Sequence, residues 1–396
     1  MHESHDLRLD VDSLNGEFME EKSTKINKYH NQSLFVWVVV LFLTYFLGQN
    51  IFASASGVFG NQNYTYGIIS IIIGYLLGTL FYELGKLIFG KIAGYKLVYF
   101  NYLGFTFIKN NQSKTRFTFT KFSNYGGKTV MSPKNEKSSL NLYLLGGTIF
   151  SVLMSILMLV GSHLLAKQIK DETIIYIEYI VAAVNLIILI FNMAPFLNDE
   201  FYDGFIFRIV NKDKEFKKVY QKMLLEEDAL ITGRGELLYF ENIDYSNPLY
   251  GRAIIYNYYY LLNQQKIIEA EKALEEGLKN TDYLNTEEVG LLYSGKYYFA
   301  LLKGDEDKIG EEFYTLDKSL RKIATSYHNY ETIKTALLVA ALVDSSFDLY
   351  EYILNRMEKE KINFSPLRVE TETQLIEDAL NHIQKKKVDW FREDNE

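Results

Sequence analysis

The sequence has no cysteine, which excludes disulfides and thiolate-held metal sites together. It has no excess of basic charge either. A total of 42 Lys and Arg stands against 50 Asp and Glu, a formal net charge of −8, and this argues against nucleic acid as a partner. Proline is held to four residues; with abundant Lys, Asn, Ile and Tyr, that is the composition of a low-GC bacterial source. Residues 1–32 lack the basic, apolar and small-residue succession of a cleaved signal peptide. They are polar and mixed in charge, the pattern of a cytosolic tail.

What the chain does have is a strong division. Hydrophobic residues make up 48% of it, yet its mean hydropathy is only −0.08, so an apolar half is joined to a polar half. At 396 residues there is room for two domains or more. Charge vanishes between Asn31 and Tyr82. Within that stretch, residues 33–52 and a run from about Gly67 into Glu83 are each near the ~20 residues that a bilayer needs. A third span lies in the charge-free stretch 138–166, and a fourth covers about 173–197, with Asn185 and Asn192 inside and Pro195 near its end. Gly74 and Gly78 at four-residue spacing let a neighbouring helix come close, as do Gly146 and Gly147 with Ser151 and Ser155 after them.

Between the second and third spans, residues 95–108 alternate loosely and Arg116-Phe117-Thr118-Phe119-Thr120 alternates strictly, across a turn at Asn110-Asn111-Gln112-Ser113. This predicts a β-hairpin or small meander within an insert over 94–137, ended by Tyr125-Gly126-Gly127. The loop after the first span carries no Lys or Arg. The second loop, which holds the insert, carries Lys91, Lys96, Lys109, Lys114, Arg116, Lys121 and Lys128, which outweigh Lys167 and Lys170 of the third loop. The insert and both termini are therefore expected on the cytosolic side.

The expected fold class is mainly α: a polytopic membrane core of four transmembrane helices over 33–208, carrying the β insert, followed by a soluble αα-solenoid over 209–396. In that second part apolar residues recur at helical spacing in 253–262, 267–278, 289–302, 309–320, 333–343 and 349–357. Short helices joined by short turns imply stacked antiparallel hairpins. Ala270-Glu271-Lys272-Ala273-Leu274-Glu275 resembles the second helix of a tetratricopeptide repeat.

The candidate site is Phe81-Tyr82-Glu83-Leu84-Gly85-Lys86, the first charged residues after Lys28. A carboxylate and an ammonium at the end of a membrane helix are a functional-site hypothesis by default. The spacing is that of H-E-x-x-H, where two His on one helix face bind zinc and the Glu is the base. Tyr82 and Lys86 occupy the two His positions. On the topology above, Glu83, Lys86 and Asp203 share the cytosolic side of the bilayer.

Three places together resemble the site-2 protease family, the intramembrane zinc metalloproteases, over roughly the first half of the chain. Tyr82-Glu83-Leu84-Gly85-Lys86 stands for the H-E-x-x-H helix, and Gly146-Gly147 for the Gly-rich start of a following helix. Asn192-x-x-Pro195 with Asp203-Gly204 stands for N-x-x-P…D-G, whose Asp is the third zinc ligand in that family. Tyr125-Gly126-Gly127 and Met131-Ser132-Pro133 resemble a loop of some bacterial relatives. Only Asp203 keeps a metal-ligand type. A Tyr82 phenolate would need deprotonation of a group whose ordinary pKa is about 10, and Lys86 would repel a metal. His163, the one His within the spans, lies at the opposite end of the third. No cofactor or metal is expected, and the resemblance implies a degenerate pseudoprotease rather than an enzyme.

In place of the metal, an ion pair of Lys86 with Asp203, joined by Glu83 and Tyr82, satisfies the pairing that charges in a membrane need; Lys86 could instead snorkel to the headgroups. The expected role is to bind a hydrophobic peptide or transmembrane partner without cutting it and to recruit a further partner through the helical repeats, in bacterial peptide maturation or export at the cytoplasmic membrane. Alternatives are an accessory subunit of a transporter complex, and a zinc-independent hydrolase using Glu83, Lys86 and Asp203, for which no Ser nucleophile lies at a recognisable spacing. Tyr256, Tyr258, Tyr259, Tyr260, Tyr293, Tyr297 and Tyr298 could line a concave peptide-binding face or form the repeat core. Glu178 is read as an interfacial residue of the outer surface. Neither the peptide, the partner nor the oligomeric state follows from the sequence.

Overall fold

A computed structural model describes residues 38, 42, 45, 63–109, 115–119, 127–166, 172–194, 202–245, 247–361 and 366–391. The expected first span, apart from Val38, Phe42 and Tyr45, lies outside the described residues. So do the tail 1–32, the turn 110–113, Pro195 and the segment 198–201. The protein is mainly helical with one small antiparallel sheet, and it divides into two compact units at Leu224 and Leu225.

In the first unit three helices are long and apolar enough to cross a membrane: Thr65–Ile92, Leu140–Leu164 and Ile174–Met193. They belong to α1 (Asn63–Ile92), α2 (Leu140–Ala166) and α3 (Glu172–Met193), which all touch one another. Lipid tails are as apolar as Leu, so such helices associate through close packing and hydrogen bonds rather than through a hydrophobic drive. The glycines provide the first. A Cβ on Gly74 would lie 2.9 Å from Val184 Cβ, and one on Gly78 would lie 3.1 Å from the Asn185 Cα, so both face α3. A Cβ on Gly85 would meet the Gly146 carbonyl oxygen at 2.6 Å, and one on Gly147 would meet the Tyr82 ring at 2.8 Å. Asn185 provides the second. Its Nδ2 donates to the Ser151 carbonyl at 2.9 Å and to Ser155 Oγ at 2.7 Å, tying α3 to α2.

The sheet has four strands in the order β3-β2-β1-β4, with β1 Tyr95–Tyr102, β2 Phe105–Lys109, β3 Thr115–Phe119 and β4 Lys128–Pro133. The alternating stretch 95–108 is thus two strands. Leu103 and Gly104 both take positive φ, 49° and 85°, which closes a two-residue hairpin pairing Tyr102 with Phe105. Gly127 does not end the sheet but opens β4, which pairs with β1 from Lys128 to Pro133. Two shorter helices complete the unit: α4 (Asp203–Lys212), and α5 (Lys214–Thr232) as far as Leu224. The boundary falls later than residue 208 because α5 is bonded to this unit. Gln221 Nε2 donates to the Ser138 carbonyl at 2.9 Å and Lys217 Nζ to Asn141 Oδ1 at 3.2 Å.

The second unit is helical: α6 (Gly251–Asn263), α7 (Ile267–Lys279), α8 (Thr286–Leu302), α9 (Glu306–Thr315), α10 (Lys318–Ala324), α11 (Tyr330–Leu338), α12 (Phe347–Lys361) and α13 (Pro366–Lys386). Neighbours in sequence pack together through α6, α7 and α8, and α8 also meets α9, α10, α11 and α13. Asn285 and Glu288 form a capping box at the head of α8. The stretch 309–320, periodic enough for one helix, is two. Asp317 accepts from the Ser319 and Leu320 amides and starts α10 as an N-cap, interrupting the pattern.

Ahead of α6, residues 236–241 run without helix or strand. Buried Glu226, on α5, accepts from the Leu238 amide through Oε2, and its Oε1 has no hydrogen-bond partner among the described residues. Asn257 takes the next link. Its Oδ1 accepts from the Phe240 amide at 2.7 Å and its Nδ2 donates to the Phe240 carbonyl at 2.8 Å.

These contacts set two expected outcomes. Gly147→Ala drives a methyl into the Tyr82 ring and should destabilise the first unit by roughly 1–3 kcal/mol. Gly161→Ala, on the same helix with nothing within 4 Å, should leave it unchanged; heating each variant in detergent and recording the monodisperse fraction distinguishes the two. Burial pushes the Glu226 carboxyl up to about 8 from an ordinary 4.5, against a smaller opposing effect of the Leu238 amide. The folded chain therefore keeps a proton that the unfolded chain releases, so this group's stability is full at low pH and is lost as pH rises between those values. Glu226→Gln keeps an acceptor for Leu238 without the titration. It should exceed the wild type by on the order of 3–5 kcal/mol near pH 9 and match it near pH 5, in denaturation followed by circular dichroism.

Candidate ion-pair site

Tyr82 and Lys86 lie one turn apart on α1 and so share a face. Asp203 is the first residue of α4, with Tyr202 before it supplying no side-chain cap. A carboxylate in the first helical turn also lies at the positive end of the helix dipole. Gly204 explains how α4 can begin there. A Cβ at this position would lie 2.0 Å from the carbonyl oxygen of Met193, so only a bare α-carbon lets the helix start press against the end of α3.

The three side chains meet. Tyr82 Oη donates to Asp203 Oδ2 at 2.8 Å. Lys86 Nζ lies 3.0 Å from Asp203 Oδ1 and 3.0 Å from Oδ2. The Lys86 side chain is 12% exposed and that of Asp203 9%, so the ammonium is turned inward to the carboxylate. It also stands 5.6 Å from the centroid of the Tyr143 ring, a cation–π distance.

Glu83 lies within electrostatic reach of Lys86 and Asp203 but is held by other neighbours. It is buried, and its Oε2 has no hydrogen-bond partner among the described residues. The start of β4 lies over it: a Cβ on Gly127 would be 3.0 Å from Glu83 Cγ, and Gly127 has φ +137°. Thr129 Oγ1 donates to the Glu83 main-chain carbonyl at 3.2 Å. Tyr143 Oη donates to the Thr129 carbonyl at 3.1 Å, and its ring stacks on Tyr95 at 4.8 Å. Thr129 and Tyr143 are thus parts of the site that sequence reasoning missed. Tyr143 carried a signal, lying one helical turn before Gly147, whereas Thr129 enters through strand pairing and carried none.

The resemblance to site-2 proteases implies a zinc ion between positions 82, 86 and 203, and the donor set does not fit one. An ammonium has no lone pair to give. Both Asp203 oxygens are engaged, by Tyr82 and by Lys86. Among the described residues no group of three or more His, Asp or Glu side chains converges as metal ligands would. What the arrangement does chemically is neutralise a buried charge and join the ends of α1 and α4.

Other sequence candidates lie elsewhere. Asn192 Nδ2 donates to the Ile188 carbonyl of its own helix at 2.9 Å. His163 is exposed toward the far end of α2. Glu178 accepts from Ser162 Oγ at 2.6 Å, a bond between α3 and α2. The tyrosines of the second unit do not form an open face: Tyr256, Tyr258, Tyr259, Tyr297 and Tyr298 are buried, and only Tyr293 and Tyr260 are partly exposed. Beside them the buried pair of Lys334 and Glu372, 2.6 Å apart, and Arg368 over the Tyr259 ring show a core into which these rings pack.

Removing one member of a desolvated pair strands the other charge, at a cost of about 3–5 kcal/mol. Lys86→Ala should therefore lower the thermal stability of the purified protein strongly. The double variant Lys86→Met with Asp203→Leu should recover most of it, since an apolar pair strands no charge. A Lys86→Ala protein that melts with the wild type would show that the pair does not hold the core.

No protein-family model matches the chain, and neither a curated protein nor a solved structure matches it.

Proposed function

We propose that this chain is a membrane protein with a site-2-protease-like core that has exchanged its metal for an internal ion pair. On this reading it binds a hydrophobic peptide or a transmembrane segment without cleaving it. Four spans cross a bacterial cytoplasmic membrane with both termini inside, and the helices of the second unit stack as an αα-solenoid that recruits a partner in peptide maturation or export. The Lys and Arg of the β insert support that orientation, and the succession of short helices supports the solenoid.

One observation carries the non-catalytic reading. Lys86 Nζ contacts both oxygens of Asp203 at 3.0 Å, with Tyr82 completing the carboxylate's partners. The side chains that would present ligands to a metal are spent on each other. Glu83, the one residue of the motif with the family's identity, is flanked by a phenol and an ammonium in place of the two imidazoles.

The double variant Tyr82→His with Lys86→His tests this. If the core descends from a zinc protease, that variant should take up about one zinc per chain through the two introduced imidazoles and Asp203, where the wild type takes up none. Metal content by atomic emission and cleavage of a labelled membrane peptide are the measurements. Near-equimolar zinc or cleavage in the wild type would overturn the non-catalytic reading. A double variant that folds and stays free of zinc would count against the resemblance itself.

A further inference from the structure

The polar clamp on residues 238–240 has no role in the ion-pair site, and it has the chemistry of peptide recognition. Two carboxyl or amide side chains from helices, Glu226 and Asn257, hold main-chain groups of Leu238 and Phe240. Amides two residues apart lie along one edge of an extended chain, and main-chain bonds of this kind supply affinity whatever the side chains are, while pockets supply the selection. Selection is present here as well. The Phe240 ring is buried with its centroid 5.9 Å from that of Tyr256, whereas Tyr239 between the two clamped residues is half exposed.

The fit of this segment is incomplete. Beside it lies a cavity of about 470 Å³ lined by Glu241, Glu276, Tyr239, Tyr245 and Asn257, with no Lys, Arg or His among its walls. Tyr245 bonds to Glu276. Glu241, the residue directly after the clamped Phe240, brings a second negative charge to a cavity that already holds one. Glu226, which holds Leu238, has its Oε1 buried without a hydrogen-bond partner among the described residues.

We propose that Glu226 and Asn257, with α6 and α7, form a groove that reads an extended partner segment of the pattern apolar–x–aromatic–cation, and that residues 238–241 of this chain occupy it as an internal stand-in. The partner's cation takes the place of the chain's own Glu241 and faces Glu276 across the cavity. This deepens the partner-recruiting role proposed above and rests on it. The groove borders the buried tyrosine cluster through Tyr256, but the groups that hold the main chain are a carboxyl and an amide.

The test uses the full chain in detergent micelles and two labelled peptides: one copying residues 235–244, the other identical except for Lys at the Glu241 position. Fluorescence polarisation should show the Lys peptide binding roughly two- to five-fold tighter, the scale of one part-exposed ion pair. In the variant Leu238→Ser with Phe240→Ser, which weakens the internal competitor by removing its apolar side chains, both peptides should bind more tightly than to the wild type. If that variant does not fold, hydrogen exchange of the wild type decides: the Phe240 amide should exchange faster than the Leu261 amide of α6, and faster still with the Lys peptide present. Absence of binding by the folded variant, equal affinity for the two peptides, or a Phe240 amide that opens only with Leu261 would each overturn the groove. A protein that binds neither peptide yet still co-purifies with a stoichiometric partner overturns the groove and leaves recruitment standing.

Discussion

A single carboxylate organises the first unit. Asp203 takes a hydroxyl on one oxygen and an ammonium on both, and an uncompensated charge at that depth would cost several kcal/mol. The bond lengths tolerate errors of only a few tenths of an ångström, so the helices that carry the three residues must be held that closely. Bare glycine surfaces do this: Gly85 against the Gly146 carbonyl, Gly147 against the Tyr82 ring, and Gly204 against the Met193 carbonyl. The glycines and the charges work together, because the bare surfaces set the distances at which the carboxylate meets its partners.

The two units are stabilised by different physics. Helices as apolar as α1, α2 and α3 have no water to expel from one another if they cross a bilayer, so proximity and internal hydrogen bonds then decide, and Asn185 spanning Ser151 and Ser155 is the plainest case. The second unit is built on burial from water, with caps such as Asn285 and Asp317 ending one helix pattern and starting the next. Its buried ions, Lys334 and Glu372, are paired with each other, as buried charges must be. Glu226 differs: it meets a main-chain amide instead of a cation, and burial makes it a weak acid.

Much of the candidate site was readable in order of residues. Tyr82 and Lys86 at four-residue spacing had to share a helix face, and Asp203 was put on their side by the expected topology and the resemblance of Asp203-Gly204 to a D-G motif. The glycine pairs were readable as close contacts, though not which helix each would meet. Thr129 and Tyr143 were harder, because they reach Glu83 and Lys86 only once β4 has paired with β1 and α2 has crossed α1. The tyrosine-rich helices left two readings open, a binding face or a core, for a related reason. Aromatic residues at helical spacing look alike whether they face a groove or a core, and it is the neighbours Lys334, Glu372 and Arg368, distant in sequence, that close the core over them.

Local rules were enough for the sequence alone to determine the mainly helical character, the apolar runs of α1, α2 and α3, the presence of strands between α1 and α2, and the absence of any thiolate chemistry. Periodicity and composition act over a few residues, and those features need no more. Only the tertiary structure decided that Lys86 turns inward to Asp203 rather than outward to headgroups, that Gly127 opens a fourth strand, and that Asn257 grips the main chain of Phe240. Each of these is a contact between segments far apart along the chain, whose energy depends on desolvation and on geometry that no local pattern encodes.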